Sequence, residues 1–317
     1  MNARVIYIGA AEAPAARFVE LAAADFPQLE LFATDDRRAA LEQLGDAEVV
    51  IGHHFQFDGT LIERARKLRW IQSLTAGVDA ILRIPALPPH ILITTTRGMH
   101  GSQMSELVFL HMLALGRDFP RMLRNQARAH WERWPQPLLD GKLAVIVGVG
   151  AIAERLAPRC KAFGMTVHGV SSSTRVPAGF DAVLPRDRLR EAAARADFLI
   201  LIVPLAPDTE NLVDRGVLGC LKPTAYLINV ARGGVLDEQA LLERLRAGQL
   251  AGAALDVFRE TPLPADHPLW REPRLIITPL VGGMSDVYLQ QAYPFVRDNL
   301  RHFLAGRPER MVNLISR

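Results

Sequence analysis

The run Leu143-Ala144-Val145-Ile146-Val147-Gly148-Val149-Gly150-Ala151-Ile152-Ala153 is an apolar strand that feeds a G-x-G-x-x-A turn into a helix. In this pattern Gly148 permits the tight turn, Gly150 lets backbone approach a pyrophosphate, and the small Ala153 allows close packing of helix on strand. The helix start, with Ala151 and Ile152, then offers N–H groups and a partial positive charge to the phosphates. The chemistry this predicts is dinucleotide binding, against the alternative of a glycine turn that serves packing alone. About 20 residues past the first glycine, an NAD-binding chain places an Asp or Glu on the ribose hydroxyl. Here the residues are Ser171-Ser172-Ser173-Thr174-Arg175. No carboxylate stands there to repel a 2′-phosphate, and three serine hydroxyls with Arg175 can bind one through charge-assisted hydrogen bonds. The expected cofactor is NADP, with NAD as the alternative if the loop is merely solvated.

Such a turn needs a sheet to hold it. Six apolar strand candidates follow residue 140: Leu143–Val147, Thr166–Val170, Phe198–Ile202, Ala225–Asn229, Gly252–Asp256 and Leu275–Thr278. Helical patterns separate most of them, and six is the strand count of a doubly wound (Rossmann) dinucleotide fold. Before them, Val5–Ile8, Leu29–Phe32, Val49–Gly52, Trp70–Leu74 and Ile91–Thr94 alternate with helical segments as parallel βαβ units do. A long helical stretch from Ser102 to Leu115, a second one through Arg128 and the Pro-rich Trp134–Pro137 lead from one series to the other. Ser285–Leu304 reads as a helix that returns to the first series, and the tail Met311–Ile315 is apolar. The expected architecture is α/β: a doubly wound parallel-sheet domain over 99–290 and a smaller flavodoxin-like α/β domain over 1–98 and 291–317.

A chain of 317 residues suits two cores better than one. With 49% hydrophobic and 22% charged residues the balance is that of a globular protein, not a disordered or fibrous one. The formal charge of +3 comes from scattered arginines, so no nucleic-acid footprint is expected. Cys160 and Cys220 fall in helical segments without metal spacing and read as buried thiols in a reducing compartment. The start reads directly as a strand and no apolar run is long enough to cross a bilayer, so the expected location is the cytoplasm, away from membranes.

Three further segments complete a pattern: Thr75-Ala76-Gly77-Val78-Asp79 after a strand of the first domain, Asn229-Val230-Ala231-Arg232-Gly233-Gly234-Val235-Leu236-Asp237-Glu238 after a strand of the second, and Ala254–Phe258 through Pro262-Leu263-Pro264 and His267–Trp270 to Thr278-Pro279. With the glycine turn, and in this order, they resemble the D-isomer-specific 2-hydroxyacid dehydrogenases, most closely the glyoxylate/hydroxypyruvate reductase type. The resemblance implies that the amides of Ala76 and Gly77 hold a substrate carboxylate, and that Arg232 binds carboxylate and keto oxygen and polarises the carbonyl. A planar, permanently charged guanidinium fork suits that work. It also implies that Pro204, Thr209, Val230, Ala231 and Asp256 lie along the cofactor, that the ligand is a small 2-keto or 2-hydroxy acid, and that the protein is a homodimer. No metal is implied.

The family's Glu–His proton relay has no counterpart here. The glutamate position, before the proline of the E-P-L-P stretch, is Thr261, and the histidine position, after Thr278-Pro279, is Leu280. Glu260 is one residue early, which on an extended segment turns its side chain to the opposite face. Losing a general acid costs about 10²–10⁴-fold in rate. His100, expected at the crossover between domains, is a candidate replacement, directly or through water, against the plainer reading of a polar loop side chain packed on its neighbours. His53-His54, at a strand end of the first domain, is a second candidate, more readily read as packing side chains. His267 reads as structural, and Trp131 and Trp134 as pocket or interface residues. The reading is an NADP-preferring 2-keto acid reductase with weakened or rearranged proton transfer; the alternative is an inactive cofactor-binding relative.

Overall fold

A computed structural model describes residues 3–85, 87–173 and 175–316. The chain forms two compact units, Met1–Met99 with Met284–Arg317, and His100–Gly283. It passes from the second unit back to the first after Gly283, not after residue 290 as the sequence suggested. The expected boundary cuts a helix that packs as one body on the first unit.

In unit 1 the chain runs β1 (Arg4–Ile8), α1 (Ala15–Asp25), β2 (Glu30–Thr34), α2 (Arg37–Glu42), β3 (Val49–Gly52), α3 (Gly59–Arg64), β4 (Trp70–Ser73), α4 (Asp79–Leu82) and β5 (Leu92–Thr94). The strands form one parallel sheet in the order β2-β1-β3-β4-β5, with Val5 opposite Leu31 on one side and Val49 on the other. Alternate residues face opposite sides, and both sides are covered. Val5, Tyr7 and Trp70 join one core cluster, while Ile6, Ile8 and Ile71 join another. Burial on both faces is why these strands read as continuous apolar runs.

Unit 2 begins with α5 (Gly101–Gly116) and α6 (Phe119–Ala127), then continues β6 (Leu143–Val147), α7 (Ala151–Ala162), β7 (Thr166–Ser171), β8 (Ala182–Pro185), α8 (Leu189–Arg195), β9 (Phe198–Leu201), α9 (Arg215–Cys220), β10 (Tyr226–Asn229), α10 (Glu238–Arg246), β11 (Gly252–Leu255) and β12 (Leu275–Ile277). Its parallel sheet has seven strands in the order β12-β11-β10-β9-β6-β7-β8, one more than expected. The extra strand, β8, is a four-residue edge strand, Ala-Val-Leu-Pro, that ends in Pro185 and has no fully buried residue; its apolar run is too short, and too close to a proline, to stand out as a strand. Cys160 lies buried on α7, where desolvation pushes its thiol up to about 12, whereas Cys220 ends α9 half-buried.

The last helix, α11 (Tyr288–Leu304), covers one face of the unit 1 sheet, with Leu289, Val296 and Leu300 in the core beside Phe18 and Trp70. The apolar tail extends the sheet edge: Leu314 bridges to Thr94, and Ile315 N–H donates to Ile93 O at 2.9 Å. In each sheet the strand order reverses next to the first strand, between β1 and β3 and between β6 and β9. Crevices at the carboxyl ends of strands beside such a reversal are where open α/β sheets bind ligands.

Candidate functional site

The glycine turn of unit 2 stands at the β6/β9 reversal. Gly148 has φ +102°, and a Cβ there would lie 2.7 Å from Val203 N at the end of β9, so no side chain is tolerated. Asp58, Asp214 and Asp237 cap α3, α9 and α10 with side-chain oxygens, as Asp36 does for α2. Helix α7 instead starts from Gly150, which is extended and supplies no side-chain cap. A Cβ at Gly150 would meet nothing within 4 Å, which leaves the approach to Ala151 and Ile152 open, while Ala153 is fully buried against the sheet. An uncapped helix start beside an obligatory glycine fits a diphosphate.

After β7, Ser171 Oγ accepts from Ser173 N at 3.1 Å and Ser173 Oγ from Arg175 N at 3.2 Å. Ser172, Ser173 and Arg175 are exposed; Thr174 lies outside the described residues. The Arg175 guanidinium pairs with Glu154 in the first turn of α7. A pair this exposed contributes about 1 kcal/mol or less, so a phosphate can displace the carboxylate.

Further loops at the same sheet edge hold the other expected residues. Thr209 is buried and ties its loop, its hydroxyl accepting from Ala206 N and donating to Pro204 O, both at 2.7 Å. After β10 the Asn229 side chain accepts from Ala231 N at 3.0 Å and donates to Arg232 O at 3.1 Å, which fixes the turn bearing Val230, Ala231 and Arg232. Arg232 Nη1 donates to Ala231 O at 2.8 Å. The neighbouring Gly233 presses on the next loop, where a Cβ would come within 2.0 Å of Phe258 C. Asp256 is buried and accepts from Thr278 Oγ1 (2.6 Å), Val281 N (3.0 Å) and Gly282 N (2.9 Å). Burial pushes its carboxyl above the ordinary range in spite of these donors. Asp256 thus shapes the loop after β12 that carries Leu280.

At the two positions where the resemblance leads one to expect a relay, Leu280 is 48% exposed with φ +58°, and the Thr261 hydroxyl donates to Phe258 O at 3.4 Å. Neither is an acid of useful strength, and Glu260 is solvent-exposed. His100 is the first residue of unit 2, buried at the start of α5. Its ring packs on the same loop: a Cβ at Gly283 would lie 3.4 Å from His100 Cδ2. His111, unremarked in the sequence because a lone histidine on an apolar helix gives no signal, is fully buried with Nε2 3.5 Å from Thr278 Oγ1. Desolvation lowers its pKa to about 4 and keeps it neutral. His267 is structural, its Nδ1 accepting from Leu269 N at 3.3 Å. Trp134 lies under the Arg121 guanidinium, while Trp131 is 89% exposed.

In unit 1 the Thr75-Ala76-Gly77 turn follows β4. Leu74 O accepts from Thr96 Oγ1 at 2.8 Å and Tyr288 OH at 2.6 Å, and the Thr75 hydroxyl donates to Gly77 O at 3.0 Å. His54 Nδ1 stands 3.1 Å from Thr75 Oγ1. Ala76 and Gly77 are half-buried, and their amides make no hydrogen bond among the described residues, a pair of donors suited to an anion. His53 is more than a packing side chain: its Nε2 lies 3.0 Å from Glu12 Oε1, with side-chain exposures of 2% and 13%. That imidazole holds the Glu12 carboxyl below its ordinary range. Glu12 carried no sequence signal, since only the neighbouring of β1 and β3 brings it to His53.

Among the described residues no cluster of three metal-ligating side chains occurs, and no helix is long and apolar enough to cross a membrane. Residues 109–282 match the family model described as D-isomer specific 2-hydroxyacid dehydrogenase, NAD binding domain. The chain is 33% identical over 282 residues to a D-3-phosphoglycerate dehydrogenase of Methanocaldococcus jannaschii; the match covers 86% of this chain but only 53% of that longer relative. A crystal structure of a D-isomer specific 2-hydroxyacid dehydrogenase family protein from Aeromonas salmonicida is similar with a TM-score of 0.90 and 35% identity over 99% of each chain. An NADPH-dependent glyoxylate/hydroxypyruvate reductase of Sinorhizobium meliloti, solved with NADP and sulfate, has a TM-score of 0.84 at 27% identity, over 99% of this chain and 98% of that one.

Proposed function

The chain belongs to the D-isomer-specific 2-hydroxyacid dehydrogenases, nicotinamide-dependent oxidoreductases, and from that premise we propose that it is an NADP-preferring reductase of small 2-keto acids of the glyoxylate and hydroxypyruvate kind, with weakened proton transfer. The observation that carries the reading is the uncapped α7 start beside Gly148, with Arg175 held over the first turn of that helix. Bound NADPH supplies a hydride. Gly148, Gly150, Ala151 and Ile152 hold its diphosphate, Ser171, Ser172, Ser173 and Arg175 its 2′-phosphate, and Pro204, Thr209, Val230, Ala231 and Asp256 border it. The Ala76 and Gly77 amides bind the substrate carboxylate, and Arg232 orients the acid and polarises its carbonyl. His100 gives the alkoxide a proton from a ring nitrogen, directly or through water, in place of the missing relay. The protein works in the cytoplasm as a homodimer. Support for the dimer is a groove of about 1010 Å³ lined by Leu110, Leu113, Phe119 and Trp131, with Leu110 56% and Phe119 47% exposed.

The exposed, apolar Leu280 also favours a second reading, a nicotinamide-binding protein without turnover. NADPH oxidation with glyoxylate and with hydroxypyruvate separates the two, measured for the wild type, His100→Ala and Thr261→Glu/Leu280→His. Activity abolished by His100→Ala supports the reductase. A near-zero baseline that rises by about 10²-fold in the double variant supports the inactive form. NADH bound as tightly as NADPH would refute the NADP assignment.

A further inference from the structure

We propose that the Glu12–His53 pair, acting with Tyr288, sets the conformation of the Leu74–Gly77 turn and thereby the affinity of unit 1 for a small carboxylic acid. The acid itself rests on the reading above; the positioning does not. The pair joins the loops after β1 and β3, at the point where the strand order of the unit 1 sheet reverses. A second link runs beside it: His53 N–H donates to Gln56 Oε1 at 2.6 Å, and Gln56 Nε2 donates to Gly9 O at 2.9 Å. The His53 ring stacks on Phe55 and lies tilted against Tyr288, with centroids 5.4 Å away in both cases. Tyr288 carries the effect onward, because its hydroxyl donates to Leu74 O at 2.6 Å. Leu74 N–H meanwhile donates to Gly52 O, at 2.8 Å, immediately before His53. Both backbone groups of the residue that opens the turn are therefore clamped by groups adjoining His53.

Stability alone accounts poorly for such a pair. His53 is buried and Glu12 largely withdrawn from water, they meet at 3.0 Å, and His53 Nδ1 is buried with no hydrogen-bond partner among the described residues. Well-packed apolar residues commonly match or exceed the stability of buried polar pairs of this kind. A device that positions a neighbouring turn has another reason to retain them.

The test compares the wild type with Glu12→Leu/His53→Phe, Glu12→Gln and Tyr288→Phe, recording melting temperature, the Ala76 and Gly77 amide resonances by NMR, and oxalate binding by calorimetry with and without NADPH. In the double variant the melting temperature is expected to hold or rise while the two amide resonances move and oxalate binds about tenfold more weakly. Tyr288→Phe, which keeps the ring and removes the hydroxyl, should reproduce both changes. Unmoved amides with unchanged affinity overturn the proposal. So does an affinity loss that merely tracks the melting temperature across the variants, the mark of a structural role. Should the double variant not fold, Glu12→Gln and Tyr288→Phe decide by the same criteria. If the wild type binds no oxalate, the acid-holding role of the turn falls, and the amide resonances still decide the positioning.

Discussion

At the carboxyl end of the unit 2 sheet a buried carboxylate, Asp256, organises its surroundings; at that of unit 1 the half-buried Glu12 does. Asp256 gathers a hydroxyl and two amides of a single loop, with burial raising its pKa. Glu12 meets an imidazole on a neighbouring strand end, and its pKa falls. Two similar edges have thus been put to different uses. In unit 2 polar groups fold loops around the glycine turn proposed to hold a diphosphate, and Thr261 and Leu280 stand where the proposed reading would look for an acid and a base. In unit 1 an acid and a base remain together. Binding geometry and proton chemistry are separable, since the first depends on backbone shape and the second on a few side chains.

The severest way to break the unit 2 half of this contrast is Gly148→Val. A β-branched residue at φ +102° with backbone 2.7 Å away should cost about 3 kcal/mol or more and abolish nucleotide binding. Urea unfolding and NADPH titration measure both, and a folded variant with normal affinity would show the cradle to be irrelevant. Next comes Asp256→Ala, which strands three donors and should cost about 2 kcal/mol by the same unfolding measurement; a loss under about 0.5 kcal/mol would mean that the loop does not depend on the carboxylate.

The comparison of the two acids sharpens with pH. Glu12 has a folded pKa below its ordinary 4.5, so its contribution is present above that value and is lost as pH falls through the folded pKa. Asp256 is shifted the other way from 3.8, so the fold favours its protonated form, and stability declines as pH rises through that window. The stability difference between wild type and Glu12→Gln should therefore grow as pH rises up to and just past 4.5 and then level off, while that between wild type and Asp256→Asn shrinks as pH rises from 3.8 through the raised folded pKa. Slopes of the same sign would remove the distinction. The smallest effect concerns Leu280, a non-glycine residue at φ +58°. Leu280→Gly should stabilise by about 0.5–1 kcal/mol, seen as a higher urea midpoint, because relief of left-handed strain outweighs lost contact at a half-exposed site. A lower midpoint would show that this leucine packs to some purpose.

Much of the molecule follows from local sequence. Runs such as Val49–Gly52 and Leu143–Val147 are strands with those limits because a segment buried on both faces must be apolar throughout. The turn at Gly148 and the absence of an acid at positions 261 and 280 are likewise matters of residue type and spacing. Tertiary structure alone decided the rest. The edge strand β8 is too short to announce itself in the sequence and is placed by its ladder with β7. His53 meets Glu12, and His111 meets Thr278, across 41 and 167 residues of chain. Periodicity and propensity describe neighbours along the chain; which strand ends stand side by side, and so which acid finds which base, is set by the order of strands in the sheet.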